Sequence, residues 1–136
     1  MTDSAAPQAS LSFILIVDGD VLSRHVIADY LRHCGYAIVE AANTDEAFVA
    51  LGEPTLSIDV ILCDVSAVGP RSGFELAAWV RNNRPELEVR LTGSVEMTAQ
   101  TAADLCESGP HLERPYEPEA VVDYIKRLRA SRQLSE

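Results

Sequence analysis

The chain has 136 residues, 47% of them hydrophobic, which suits one compact domain with a real core and leaves no room for a second. Its formal net charge of −10 argues against DNA, RNA or an anionic membrane as the main partner and fits a protein that meets basic or mixed protein surfaces. No stretch approaches the about 18 apolar residues of a membrane span, and Met1 to Ser10 is acidic and polar rather than a basic-plus-apolar signal.

Residues 1–10 are expected to be a disordered leader. Phe13 to Asp18 then reads as a first strand, nearly all apolar and ending on a carboxylate. Leu22, Val26, Tyr30, Leu31 and Cys34 recur at helical spacing, with Gly35 as the stop. Tyr36 to Ala41 is a short second strand. Asn43 with Glu46 three residues on has the form of a capping box for a helix carrying Ala47, Phe48 and Leu51. Ser57 to Asp64 is the third strand, and its Val/Ile/Leu run predicts burial on both faces of a parallel sheet. Ser72 and Glu75 form a second capping box, opening a helix with Phe74, Leu76, Ala77, Val80 and Trp79 on or near its buried face.

Glu88 to Leu91 is the fourth strand. Met97 to Cys106 is a weaker helix, rich in Ala and Thr, and His111 to Glu113 is a short fifth strand. Pro115 and Pro118 frame a last helix with Val121, Val122, Tyr124, Ile125 and Leu128, after which Arg129 to Glu136 reads as a polar tail. The domain is placed at residues 11–130 and the tail proper at 131–136. Alternating strands and helices predict an α/β fold, a doubly wound five-stranded parallel sheet of flavodoxin-like (βα)5 type. Cys34, Cys63 and Cys106 lie far apart without metal-ligand spacing, so buried, reduced thiols in the cytoplasm are expected rather than a disulfide or zinc site.

Ligands of such sheets gather at the carboxyl ends of the strands, where Asp18, Asp20, Asp64, Thr92 and Ser94 all fall. Carboxylates and hydroxyls on one rim point to phosphate chemistry assisted by a divalent cation. In order along the chain, "FILIVDGD", "VILCDV", "LTGS" and "LERPYEPEAV" resemble the four motifs of the response regulator receiver domain, over about Phe13 to Arg129. "ADLCESGPHLERPY" and the long loop between Asp64 and Gly73 also resemble short stand-alone receivers found beside sensor kinases in alpha-proteobacteria.

The resemblance implies a single-domain receiver that is no enzyme in the ordinary sense. It would take a phosphoryl group from a sensor histidine kinase or phosphotransfer protein onto Asp64 and signal through contacts with a downstream protein. It implies Mg²⁺ held by Asp18, Asp64 and the Ser66 backbone carbonyl, with Asp20 as a further candidate ligand. Thr92, Gly93 and Arg114 would receive the phosphoryl oxygens, and His111 stands at the aromatic switch position. No nucleic acid or membrane partner is implied; pairing of two copies through the last helices stays open.

Three departures from the family pattern stand out. Gly19 replaces the second of two adjacent carboxylates, which would weaken metal binding. Arg114 stands where the family has lysine, and a planar fork differs from a compact point charge. Ala67-Val68 replaces the usual Met-Pro. They leave a second reading open, a degenerate, phosphorylation-independent scaffold. A third is a haloacid-dehalogenase-type phosphatase, whose Asp-x-Asp loop resembles "VDGDVLS", with Asp18 as nucleophile and Asp20 as general acid.

Overall fold

A computed structural model describes residues 13–109 and 116–135, with side chains as far as Arg132. Strands β1 (Phe13–Val17), β2 (Ala37–Ala41), β3 (Ile58–Asp64) and β4 (Glu88–Thr92) form a parallel sheet in the order β2-β1-β3-β4. β1 and β3 lie at its centre, which is why their sequences are almost continuously apolar: Ile14 to Val17 and Ile61 to Cys63 are all buried. Alternation sorts the side chains to two faces. Ile14, Ile16 and Leu62 face one helical layer; Leu15, Val17, Ile61 and Cys63 face the other. Burying each large aliphatic side chain contributes about 1.5–3 kcal/mol, so truncating Ile61 to Ala would cost about 2–5 kcal/mol.

Helices α2 (Thr44–Leu51) and α3 (Gly73–Asn83) cover the second face. The caps are formed as their sequences imply. Ser72 and Glu75 make a complete reciprocal box, each side chain accepting the other's backbone N–H. At α2 the reciprocal half shifts by one residue: Asn43 accepts from the Glu46 N–H, but Glu46 accepts from Ala42. Phe74 was expected on the buried face of α3 and is instead 61% exposed, because Gly73, Leu76, Ala77 and Val80 form the inward stripe. Gly73 cannot carry a side chain, since a Cβ there would lie 2.9 Å from the Asp64 carbonyl oxygen. The α3 N-terminus is thereby packed directly onto the end of β3.

Helices α1 (Val21–His33), α4 (Val95–Ser108) and α5 (Pro118–Ser135) cover the first face. Ala99, Ala102 and Ala103 present little bulk, which lets α4 lie close to its neighbours. The paucity of large apolar residues that made this helix look weak is what its close packing uses. The last turn of α4 meets the end of α1: Tyr36 donates to the Leu105 carbonyl at 2.6 Å, and Cys106 is disulfide-bonded to Cys34. α5 also starts at that end, where Tyr30 donates to the Tyr116 carbonyl at 3.2 Å. It then runs toward the opposite end, where Arg129 meets Asp20 at the start of α1.

Several expectations are corrected here. The described part of the sheet has four strands; His111 to Glu113, expected as the fifth, lies outside the described residues. The last helix continues to Ser135 through the segment expected as a polar tail. Tyr124, expected in its apolar set, is largely exposed. Cys34 and Cys106 are not reduced: their Cα atoms are 5.3 Å apart across a sequence separation of 72, a proximity set by helix packing that no spacing motif encodes. Cys63 is the free, buried thiol, as expected.

Candidate functional site

Parallel pairing of β1 with β3 puts Val17 opposite Cys63, so Asp18 and Asp64 follow side by side at the carboxyl end of the sheet. β4 adds Thr92 opposite Asp64. The three strand ends open on a cleft of about 110 Å³ whose lining includes Asp18, Asp20, Asp64, Ser66, Gly93 and Arg129. The carboxylates expected to converge do so.

Asp18 is the most constrained. It is 7% exposed and accepts the Asp20 N–H at 2.9 Å. Burial pushes its carboxyl up to about 6; that hydrogen bond resists the rise, while the nearby charges of Asp64 and Asp20 add to it. The Arg24 guanidinium fixes the backbone, donating to the Asp18 carbonyl at 2.9 Å while its Nε pairs with Glu40 at 3.1 Å. Asp64 accepts from both the N–H and the hydroxyl of Ser66, at 3.1 and 3.0 Å, and both bonds fall on Oδ1. The loop after Asp64 is held by Thr44 of α2, whose hydroxyl donates to the Arg71 carbonyl at 2.7 Å and whose N–H donates to the Val68 carbonyl at 2.9 Å. Cys63 plays no acid–base part, because burial and the two adjacent carboxylates push its thiol up to about 12.

Asp20 lines the cleft but is committed elsewhere. It caps α1, accepting from the Leu22 N–H at 3.2 Å and from the Ser23 hydroxyl at 3.0 Å. Its Oδ2 also takes both Nε and Nη2 of Arg129, and Nη2 donates to the Ser23 hydroxyl at 2.7 Å as well. Burial works against its ionisation, but the bonds from Arg129 and Ser23 outweigh that and hold its carboxyl below the usual range. Among the described residues no three acidic, histidine or cysteine side chains converge as a ready-made metal cluster. With Asp20 committed to Arg129 and the cap of α1, the cleft leaves two carboxylates, Asp18 and Asp64, for a cation, fewer than a dedicated cage needs. Mg²⁺ is typically held by one or two carboxylates and completes its octahedron with water and substrate oxygens, so the donor set fits it.

Thr92 is 2% exposed, and its side chain does not open into the cleft. Its hydroxyl lies 2.7 Å from that of Thr98. The single Thr98 proton goes to the Ser94 carbonyl at 2.9 Å, so Thr92 is the donor of the pair. Gly93 lines the cleft without a side chain. Arg114 and His111 lie outside the described residues.

Sequence reasoning missed Thr44, Thr98 and Arg129. For Arg129 a signal existed: Val121, Ile125 and Arg129 are spaced by four, so the arginine continues a buried stripe rather than starting a tail.

A family profile described as the response regulator receiver domain matches residues 14–126. The chain is 31% identical over 121 residues to the transcriptional regulatory protein ResD of Bacillus subtilis, covering 89% of this chain and 49% of that protein. It is 36% identical over 70 residues to the two-component response regulator-like protein PRR37 of rice, covering 52% of this chain and 9% of the other. It therefore spans half or less of the length of these relatives. A CheY-like receiver domain structure from Methanospirillum hungatei superposes with a TM-score of 0.57 at 21% identity, covering 93% of this chain and 100% of that one, which shows the shared fold. Family, fold and rim geometry agree, and the phosphatase superfamily weighed on the Asp-x-Asp loop is not this chain's family. The chain belongs to the response regulator receiver domain family.

Proposed function

We propose that Asp64 is the phosphoacceptor, that Asp18, Asp64 and the Ser66 carbonyl hold a Mg²⁺ ion, and that the protein signals through contacts with other proteins. The observation that carries this is the side-by-side placement of Asp18 and Asp64 on paired central strands, facing one cleft. Ionising Asp18 there is unfavourable, chiefly because it is buried and further because Asp64 is charged beside it, and a divalent cation offsets that cost. When bound, the cation supplies charge neutralisation for the transferred phosphoryl group.

This chain's own residues do the rest. An Asp64 carboxylate oxygen attacks the phosphorus of a kinase phosphohistidine; a P–O bond forms, the P–N bond breaks, and its electron pair stays on the imidazole. Ser66 orients Asp64 by gripping one carboxylate oxygen. Gly93 leaves the cleft wall open for the phosphoryl oxygens. Thr92 reaches them only by giving up its bond to Thr98, and that exchange is the switch. The donor would be a sensor kinase or phosphotransfer protein in the cytoplasm, and the listener a downstream protein. Among the described residues no helix is long and apolar enough to cross a membrane.

The test is phosphotransfer from a cognate kinase or a small phosphodonor. Wild type should acquire base-labile phosphate and Asp64→Asn none. Labelling that persists in Asp64→Asn would remove Asp64 from this role, and no labelling of the folded wild type would favour a scaffold that works without phosphorylation.

A further inference from the structure

The buried stripe of α5 passes through Val121, Val122 and Ile125, and one turn on it carries Arg129. Arg129 ends that stripe with a partly exposed guanidinium, 39% of its side-chain surface being in solvent. It is engaged twice on the first turn of α1, gripping Asp20 through Nε and Nη2 and Ser23 through Nη2. All three residues line the same cleft as Asp18 and Asp64. The C-terminal half of α5 is thus anchored to the acidic site by a positive charge, from a helix that begins at the other end of α1.

From these contacts we propose that Arg129 is the built-in counter-cation of the site, and that a divalent cation at Asp18 and Asp64 opposes its grip on Asp20. The two positive charges share one small cleft and repel, because Asp20, which Arg129 holds, lines it together with the Asp18 and Asp64 carboxylates that would take the cation. Metal loading and docking of the end of α5 are therefore antagonistic, and linkage makes the effect reciprocal. The proposal rests on the metal reading above and adds to it the means by which occupancy of the cleft is felt by a distant helix. Arg129 acts here as a positioning residue that sets metal affinity through Asp20.

The test is a Mg²⁺ titration of the full chain, followed by calorimetry and backbone amide shifts, on wild type, Arg129→Ala and Arg129→Lys. Arg129→Ala should bind Mg²⁺ at least about fivefold more tightly than wild type. Arg129→Lys keeps the charge but loses the two-partner fork, and should fall between. In wild type, saturating Mg²⁺ should speed hydrogen exchange at the amides of residues 126–132; in Arg129→Ala their exchange should not respond to Mg²⁺. A purely structural staple would change stability without moving metal affinity, so equal affinity in all three proteins overturns the proposal, as does tighter binding by wild type. If Arg129→Ala does not fold, Arg129→Lys and Arg129→Gln carry the same comparison. Absence of Mg²⁺ binding by every folded variant, wild type included, would overturn the metal reading and this proposal together.

Discussion

Asp18→Asn should stabilise the metal-free protein at neutral pH while destroying its response to Mg²⁺. The structure sets the size of the effect. Raising a carboxyl from 3.8 to about 6 on folding corresponds to about 3 kcal/mol opposing the native state once the group is ionised. Asparagine keeps an acceptor for the Asp20 N–H and removes the charge, but its amide must also leave water, so a net gain on the order of 2 kcal/mol is expected. For a domain of this size that is on the order of 10 °C in Tm. The sign follows from protonation being easier in the folded chain than in the unfolded one. Well below pH 4 the group is protonated in both states and the charge contributes nothing; between about pH 4 and 6 the unfolded chain ionises while the folded group still holds its proton, so stability falls, and above about pH 6 the cost of the buried charge is constant.

The assay is urea denaturation of both proteins in EDTA from pH 3 to 8, and the quantity to follow is the stability difference between them. Subtraction cancels the other carboxylates. The difference should be about 1 kcal/mol against Asp18→Asn at pH 3, shift in favour of Asp18→Asn between about pH 4 and 6, and level off by pH 7. Adding Mg²⁺ at ten times its Kd should return about 1.4 kcal/mol to wild type and nothing to Asp18→Asn. A difference that is flat with pH, or a wild type more stable than Asp18→Asn at pH 7 without metal, would refute the view of Asp18 as a buried carboxylate waiting for a cation.

Further outcomes follow from other parts of the structure. Gly19→Asp should fit, because a Cβ there lies no nearer than 3.5 Å to the Ala42 carbonyl oxygen; restoring the adjacent acidic pair should raise Mg²⁺ affinity on the order of tenfold, and unchanged calorimetric affinity would show that this position does not reach the metal. Thr98→Val takes away the acceptor of the buried Thr92 hydroxyl, so stability should fall by about 1–3 kcal/mol while beryllofluoride binds more tightly; equal affinity would remove Thr98 as the latch on Thr92. Thiol titration of the denatured, unreduced protein should find Cys63 alone, and Cys34→Ser should cost up to about 4 kcal/mol by release of a loop of this length; three titratable thiols would refute the Cys34–Cys106 bond.

Much of this arrangement is legible in the sequence because it depends on local chemistry. Apolar runs announce β1 and β3, since a central parallel strand is buried on both sides. The Ser72–Glu75 box marks the start of α3 because both halves lie within one turn. Asp18 and Asp64 are legible as neighbours because each directly ends a strand and strands one and three pair in this sheet order. What stays hidden depends on how distant elements face each other. Nothing near Cys34 or Cys106 encodes their pairing, which comes from the lie of α4 against the end of α1. Arg129 joins the site because α5 runs toward the start of α1, an approach that depends on how two distant helices lie against each other. Asp20 looks like a metal ligand by spacing, yet it serves as a helix cap and as the seat of Arg129.

The most direct measurement is the amide spectrum of the folded chain with Mg²⁺ and then with Mg²⁺ plus beryllofluoride, which mimics an acyl phosphate. The account predicts that Mg²⁺ shifts resonances at Asp18, Asp64 and Ser66, and that beryllofluoride extends the changes to Thr92 and Gly93. A spectrum that stays unchanged through both additions, from a protein shown to be folded, would contradict it.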